Sequence, residues 1–396
     1  MNMLRRTFLQ SAFGASVAAL TPRLLLADAA TDSRFVLVIL RGALDGLAAV
    51  PPYGDGNYAT KRGALAITAP ALRLNGLFAL NPGLAQLHER YRSKELVVFH
   101  AAASPYRERS HFDGQDLLEN GTTRPGVARD GWLNRALSVL PAARMRTTEQ
   151  ISVALSQNLP LVLRGENQVN SWAPSRLPEA DADTLQRIAD LYSTEPYFAE
   201  RLQAAVASNE IAEGGMKGGG RDPLGQFNQL AAAAGRLLVT DDGARIAVIE
   251  ASGWDTHANQ GAEQGQLVNR LRVLDSGLDA LRVSLGPAWN RTAVMVVTEF
   301  GRTVAVNGTR GTDHGTATCA FLVGGAVNGG KVIADWPGLA TSSLHQGRDL
   351  APTLDLRSVF KGVLATHLSV SESDLESKVF PDSRGASPLE GLMQRA

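Results

Sequence analysis

The 396-residue chain has one cysteine, Cys319, so no disulfide can form within it and its stability must come from a packed core. It lacks an excess of either charge: 39 lysines and arginines meet 39 aspartates and glutamates. No block of like charge occurs, which argues against nucleic acid or an anionic membrane surface as the main partner. A compact small molecule is easier to accommodate. Beyond the N-terminus, no segment approaches the roughly 20 apolar residues of a membrane span. No G-x-G-x-x-G follows an apolar run, so a dinucleotide cofactor has no fingerprint here. Histidine is scarce, at seven residues, and its placement is therefore informative. What remains, 44% hydrophobic and 20% charged, is the composition of an ordinary globular chain.

The N-terminus carries Arg5-Arg6 followed by Thr7-Phe8-Leu9, then a mildly apolar stretch from Ser11 to Leu20, then Ala27-Asp28-Ala29. This order reads as a twin-arginine export signal over residues 1–29, with a short amphipathic helix as the plainer alternative. Export by the twin-arginine translocation machinery delivers folded proteins, which suits a chain without disulfides and implies a periplasmic or secreted location.

From Arg34 the run Phe35-Val36-Leu37-Val38-Ile39-Leu40 is unbroken apolar and β-branched, the pattern of a strand covered on both faces. Similar runs occupy 96–100, 246–249, 293–297 and 319–323, and Leu271, Leu274, Leu278 and Leu281 mark a helix within 267–285. Strands alternating with helices predict an α/β fold with a mainly parallel central sheet flanked by helices. Residues 160–225 interrupt the rhythm with Pro160, Pro174 and Pro178 and the run Gly214-Gly215-Met216-Lys217-Gly218-Gly219-Gly220. They are expected to form a cap or insertion on a single domain spanning 30–396.

Ligands of an open parallel sheet bind outside the carboxyl ends of its strands. The polar residues after each apolar run therefore share one rim: Asp45; Arg109, Ser110 and His111; Asp255 and His257 in the stretch GWDTHANQ; Glu299 and Arg302; and, a loop later, Asp313 and His314. Mixed carboxylate and imidazole ligands suit zinc, manganese or iron, and all-oxygen sites suit magnesium or calcium. Two ions about 4 Å apart could clamp an in-line displacement, and a serine among these groups would be an activated nucleophile. Each element has a structural alternative: Asp45 can shape a turn, Asp255 or Ser110 can cap a helix, and Glu299 can pair with Arg302. His88, His345 and His367 read as structural or solvated, with His345 a further candidate ligand. Tyr53, Trp172, Trp254 and Trp336 either line a pocket or pack in the core.

The export signal, LRGALDGLAAVPPYGD, SPYRERSHFDGQD, GWDTHANQ, VTEFGRT, GTDHGTAT and VIADWPGL together resemble the bacterial exported family called domain of unknown function 1501. That family in turn resembles the alkaline phosphatase and sulfatase superfamily, with a one-metal or two-metal site at the C-terminal rim of an α/β sheet. The resemblance implies metal ligands at Asp45, Asp255, His257, Glu299 and His314, with Asp313 a further ligand or a partner orienting His314. It implies a nucleophile at Ser110, with Arg109, His111 or Arg302 steadying an oxyanion. The chain departs from the superfamily at Asn259 and Phe300, where histidines are expected. The cofactor implied is one or two divalent ions, zinc, manganese or calcium, and the substrate a small-molecule or glycan phosphate or sulfate ester. The alternative is a catalytically silent protein that binds a periplasmic ligand through the same rim.

Overall fold

The computed structural model describes residues 32–141, 151–174, 182–192, 195–213, 223–240 and 243–394. The expected export signal over residues 1–29 and the glycine run lie outside the described residues. Eleven strands are described: β1 (Arg34–Arg41), β2 (Leu72–Arg73), β3 (Ala79–Leu80), β4 (Leu96–Ala103), β5 (Ser152–Leu155), β6 (Asn170–Ser171), β7 (Ile246–Ser252), β8 (Thr292–Thr298), β9 (Thr318–Val323), β10 (Lys331–Ile333) and β11 (Leu354–Asp355). Nine of them form one sheet in the order β10-β4-β9-β8-β1-β7-β5-β6, with β11 also on β4, and β2 and β3 pair separately. The α/β fold with a largely parallel central sheet, expected from the strand and helix alternation, is the fold the chain adopts.

The unbroken apolar run of β1 has the burial its composition predicts. Val36, Val38 and Leu40 enter the core on one face, and Phe35, Leu37 and Ile39 enter the core on the other. With both faces covered, alternation between polar and apolar residues has no role. The principal helices are α1 (Ala85–Arg92), α2 (His111–Asn120), α3 (Ala182–Tyr192), α4 (Pro196–Glu213), α5 (Pro223–Val239), α6 (Gln266–Leu285) and α7 (Leu356–His367). In α6 the predicted stripe of Leu271, Leu274, Leu278 and Leu281 is buried. Phe227 of α5 lies where a Cβ on Gly277 would sit, so the glycine lets the two helices pack closely. Within 160–225 the described residues supply β6, at the edge of the sheet, and α3 and α4, with α4 packed on α5. No helix among the described residues is long and apolar enough to cross a membrane.

One connection positions the site. Strands β1, β4, β7 and β8 run parallel, but β9 is antiparallel to both β8 and β4. No helix occurs between Thr298 and Thr318, and without a crossover the chain can only return antiparallel. The whole segment 299–317 therefore stays at the carboxyl rim of the parallel strands. There it meets the segments following β1, β4 and β7.

Candidate metal centre

Three segments build the centre. The turn after β7 carries Asp255 and His257, the first turn of α2 carries His111, and the segment between β8 and β9 carries Arg302, Asp313 and His314. The last three are juxtaposed by short antiparallel pairing: Arg302 is bridged to His314, and Thr303 N donates to Asp313 O at 2.8 Å. Gly42 fits the turn after β1 against this assembly. Its φ is +120°, and a Cβ there would lie 2.7 Å from the backbone nitrogen of Asp255.

His111, Asp255 and His314 offer ligand atoms that all lie within 4.8 Å of one another. His111 Nε2 and His314 Nε2 are 3.0 Å apart. Asp255 presents Oδ1 to His314 at 3.3 Å and Oδ2 to His111 Nε2 at 3.5 Å. His257 Nε2 lies 3.0 Å from both His314 Nε2 and Asp255 Oδ1. Donors bonded at 2.0–2.1 Å to a tetrahedral ion are about 3.3–3.4 Å apart, close to the sides of this triangle.

The outer nitrogens settle which inner atoms carry lone pairs. His111 Nδ1 donates to Glu299 Oε1 at 2.7 Å, His257 Nδ1 to Asp313 Oδ1 at 3.3 Å, and His314 Nδ1 to the Arg109 carbonyl at 2.9 Å. Carboxylate and carbonyl oxygens only accept, so each ring proton sits on Nδ1 and each Nε2 of a neutral imidazole is an acceptor. Facing acceptors 3.0 Å apart repel unless a cation lies between them. The donor set thus fits a divalent ion, and its outer partners are of the kind that orient metal-bound imidazoles.

The carboxylates are held in their charged forms. Burial works against ionised Glu299, but donation from His111, Gln115, its own backbone and Thr298 outweighs it and lowers its pKa. Burial likewise opposes the charge on Asp255, and the adjoining Arg302 guanidinium wins, holding that carboxyl below its usual range. Asp313 is lowered chiefly by donation from Asn307. The hydrogen bond to Glu299 raises the pKa of His111 against the effect of burial, whereas burial lowers that of His314. Arg109 adopts φ 65°, an unusual conformation outside glycine. It aims its carbonyl at His314 while its side chain pairs with the buried Asp349 at 2.7 Å.

The structure distributes the sequence candidates unevenly. Asp255, His257 and His314 lie together. His111, expected to steady an oxyanion, instead points its Nε2 into the cluster. Glu299 is fully buried behind His111 and takes Gly42 N at 2.9 Å as well, so it braces His111 rather than facing into the cluster. Asp313 orients His257 rather than His314. Arg302 is buried and committed to Asp255 and to Thr312, which leaves its guanidinium no free edge for an oxyanion. Asp45 is not brought to the cluster: it caps the short helical turn at 46–49, pairs with the buried Arg62, and accepts from Gln260 Nε2 at 2.7 Å. Ser110 is the residue before α2, next in sequence to His111, with its N–H donated to Tyr106 Oη at 2.9 Å. At Phe300, where a histidine is expected, the ring stacks on His111 with centroids 5.0 Å apart.

Sequence reasoning placed Gln115 and Asn307 nowhere near the site, yet Gln115 donates to Glu299 at 3.1 Å and Asn307 to Asp313 at 3.0 Å. The first had a faint signal, since position 115 is one helical turn beyond His111 and shares its face. Trp254 and Trp172 both lie in the core, Trp254 also lining a cavity, and Trp336 packs edge-on to Phe78 and His100.

A family described as protein of unknown function (DUF1501) matches residues 98–380, more than half of the chain. No curated protein matches the chain. Among solved structures, the chain is similar to a phosphonate monoester hydrolase of Agrobacterium radiobacter at 12% identity, covering 85% of this chain and 74% of that one, with a TM-score of 0.36. It is similar to a protein in the alkaline phosphatase superfamily from Vibrio parahaemolyticus at 12% identity, covering 74% and 60%, with a TM-score of 0.34. A third similarity is to the zinc complex of the C-terminal periplasmic domain of EcEptC from Escherichia coli, at 10% identity, 74% and 73% coverage and a TM-score of 0.30. Likenesses this distant transfer no chemistry to the residues described above.

Proposed function

We propose that this chain, which belongs to the DUF1501 family, is a metal-dependent hydrolase of phosphate or sulfate esters that works outside the cytoplasm. The observation that carries the reading is the inward turn of the His111 and His314 Nε2 lone pairs onto the Asp255 carboxylate, each ring locked from behind by an acceptor.

His111, Asp255 and His314 would hold the ion, with His257 an adjoining fourth donor. Three imidazoles and one carboxylate favour zinc or manganese over calcium, which prefers oxygen. When bound, such an ion supplies Lewis acidity toward an ester oxygen. The protein's own contribution is orientation and charge. Glu299 and Asp313 keep two imidazoles in the tautomer that presents Nε2, and Arg302 keeps Asp255 ionised and fixed. Three protein ligands with a neighbouring imidazole leave coordination room for a substrate, as catalytic sites require. Asp313 also lines a cleft of about 240 Å³ with Lys61 and Arg348, whose cationic groups suit an anionic ester. Ser110 is assigned as nucleophile from its place beside His111. The export assignment rests on the twin-arginine pattern of residues 1–29, so the partners proposed are the translocation machinery and a small-molecule or glycan ester.

The test is metal content by mass spectrometry of the natively folded protein, followed by turnover of aryl phosphate and aryl sulfate esters. About one equivalent of transition metal, lost in His314→Ala together with turnover, is the expected result. Metal that binds with no ester turned over would move the assignment to a non-catalytic binding protein on the same rim. Full metal content in His314→Ala would overturn the centre itself.

A further inference from the structure

A second site lies against the other side of the turn that carries Asp255. A cavity of about 440 Å³ opens at the carboxyl ends of β5 and β7, between them and helices α5 and α6. That volume is in the range of pockets for small organic ligands. Leu155, Phe227 and Leu274 give it apolar walls, and Ser156, Gln226 and Ser252 give it hydrogen-bonding groups.

Two charged residues line it, and they differ in one respect. Glu250 is paired with Arg41, which is itself shared with Glu119. Arg270 has no carboxylate partner among the described residues, and its Nε is buried without a hydrogen-bond partner. The guanidinium lies against the Cα of Gly253, where any Cβ would collide with it, and Gly253 has φ +97°. The guanidinium thus packs on the turn after β7, and no carboxylate among the described residues pairs with it. A guanidinium on the wall of a ligand-sized cavity, with no carboxylate of the described residues paired to it, is a receptor for an anionic group.

We propose that this cavity binds a small organic anion, with its charged group on Arg270 and Ser252 and its apolar body against Phe227, Leu155 and Leu274. Glu250 is turned to Arg41, which offsets part of its charge toward the ligand. The cavity reaches the metal centre through a hydrogen-bonded chain. Arg41 donates to Gln115 Oε1 at 3.1 Å, Gln115 donates to Glu299 at 3.1 Å, and Glu299 holds His111. Binding itself requires no ion, so this site and the hydrolase reading stand or fall separately.

The experiment titrates the full-length protein, with and without chelator, with two fluorescent naphthalenes. 8-Anilinonaphthalene-1-sulfonate carries an anionic group; N-phenyl-1-naphthylamine has the same rings and no charge. The expected result is saturable sulfonate binding that weakens at least tenfold in Arg270→Met, with binding of the neutral probe changed less than twofold and no effect of chelator on either. Gly253→Ala, which displaces the guanidinium without removing it, should weaken sulfonate binding in the same direction. Far-ultraviolet circular dichroism and the unfolding midpoint identify a variant that fails to fold, and Arg270→Lys then serves as the charge-retaining control, expected to keep sulfonate preference. Equal binding of the two probes to the parent protein, or sulfonate binding unchanged in folded Arg270→Met, would overturn the proposal.

Discussion

Asp45 and Asp255 end up with opposite fates on the same rim. Both follow a buried parallel strand, both pair with a buried arginine, and both were expected to hold metal. Asp45 is 1% exposed, and Arg62, Gln260 and the Ala48 N–H use its oxygens. The side chain of Asp255 is 40% exposed; Arg302 takes Oδ1 from behind, and Oδ2 faces His111. A carboxylate is available to an ion only when its neighbours leave part of it unclaimed. The arginine does not distinguish the two, but the identity of the remaining partners does: amide donors surround Asp45, and imidazole acceptors surround Asp255.

The largest effect that would break this contrast is on the structural side. Arg62→Met strands the charge of Asp45 in the interior, which typically costs about 3–5 kcal/mol. The denaturant midpoint should fall accordingly, with metal per folded molecule unchanged. A parent-like midpoint would mean that Asp45 is not locked by Arg62 and is free for another role.

His100 provides the next largest effect, because it is the structural counterpart of the clustered histidines. Its Nε2 donates to the Val50 carbonyl at 3.0 Å and its Nδ1 accepts from Ala101 N at 2.8 Å, within a bulge of β4. Complete burial pushes its pKa down to about 4. The unfolded chain therefore binds a proton more readily between pH 6.5 and 4, and stability is lost as pH falls through that window, by about 3 kcal/mol in total. Asp275, raised to about 6 by burial, acts with the opposite sign over much of the same range. The informative measurement is thus the difference between the pH–stability curves of the parent and His100→Gln, which should flatten above pH 6.5. Parallel curves throughout would place the titration elsewhere.

Within the centre the effects are smaller and graded. Glu299→Gln removes the charge that holds His111, and loss of such an orienting partner weakens metal binding by about 10–100-fold. A competition titration with a chromophoric chelator reads this directly, and an unchanged affinity would detach Glu299 from the centre. The smallest expected loss is for His257→Ala. His257 lies outside the group of three ligand atoms that close on one another, so its removal should weaken metal less than His314→Ala does. If the two losses are equal, His257 is a full ligand.

The sheet and its helices were legible because burial on both faces leaves a direct mark on sequence. A short apolar, β-branched run such as 35–40 fits a doubly covered strand and little else, and α6 advertises its leucine stripe. β5 and β6 escaped notice because strands of four and two residues are too short to show a period. The convergence of three of the four expected loops was also legible, since parallel strands place their carboxyl ends on one side. Roles within the rim were not. His111 was read as steadying an oxyanion and Glu299 as a ligand, and the structure sets them as inner donor and outer support. Both residue types serve either purpose, and the difference is a ring orientation fixed by a partner 188 positions away.

By itself, the sequence determined the layered α/β architecture, the rim on which polar chemistry gathers, and the residues Asp255, His257 and His314 that meet there. These follow from local hydrophobic pattern and strand direction, which short windows of sequence encode. Only the tertiary structure decided that His111 joins them, that Asp45 is claimed by Arg62, and that Arg270 is left without a carboxylate beside a ligand-sized cavity. Those outcomes depend on which donors and acceptors distant segments bring within about 3 Å of each other, and no local pattern carries that information.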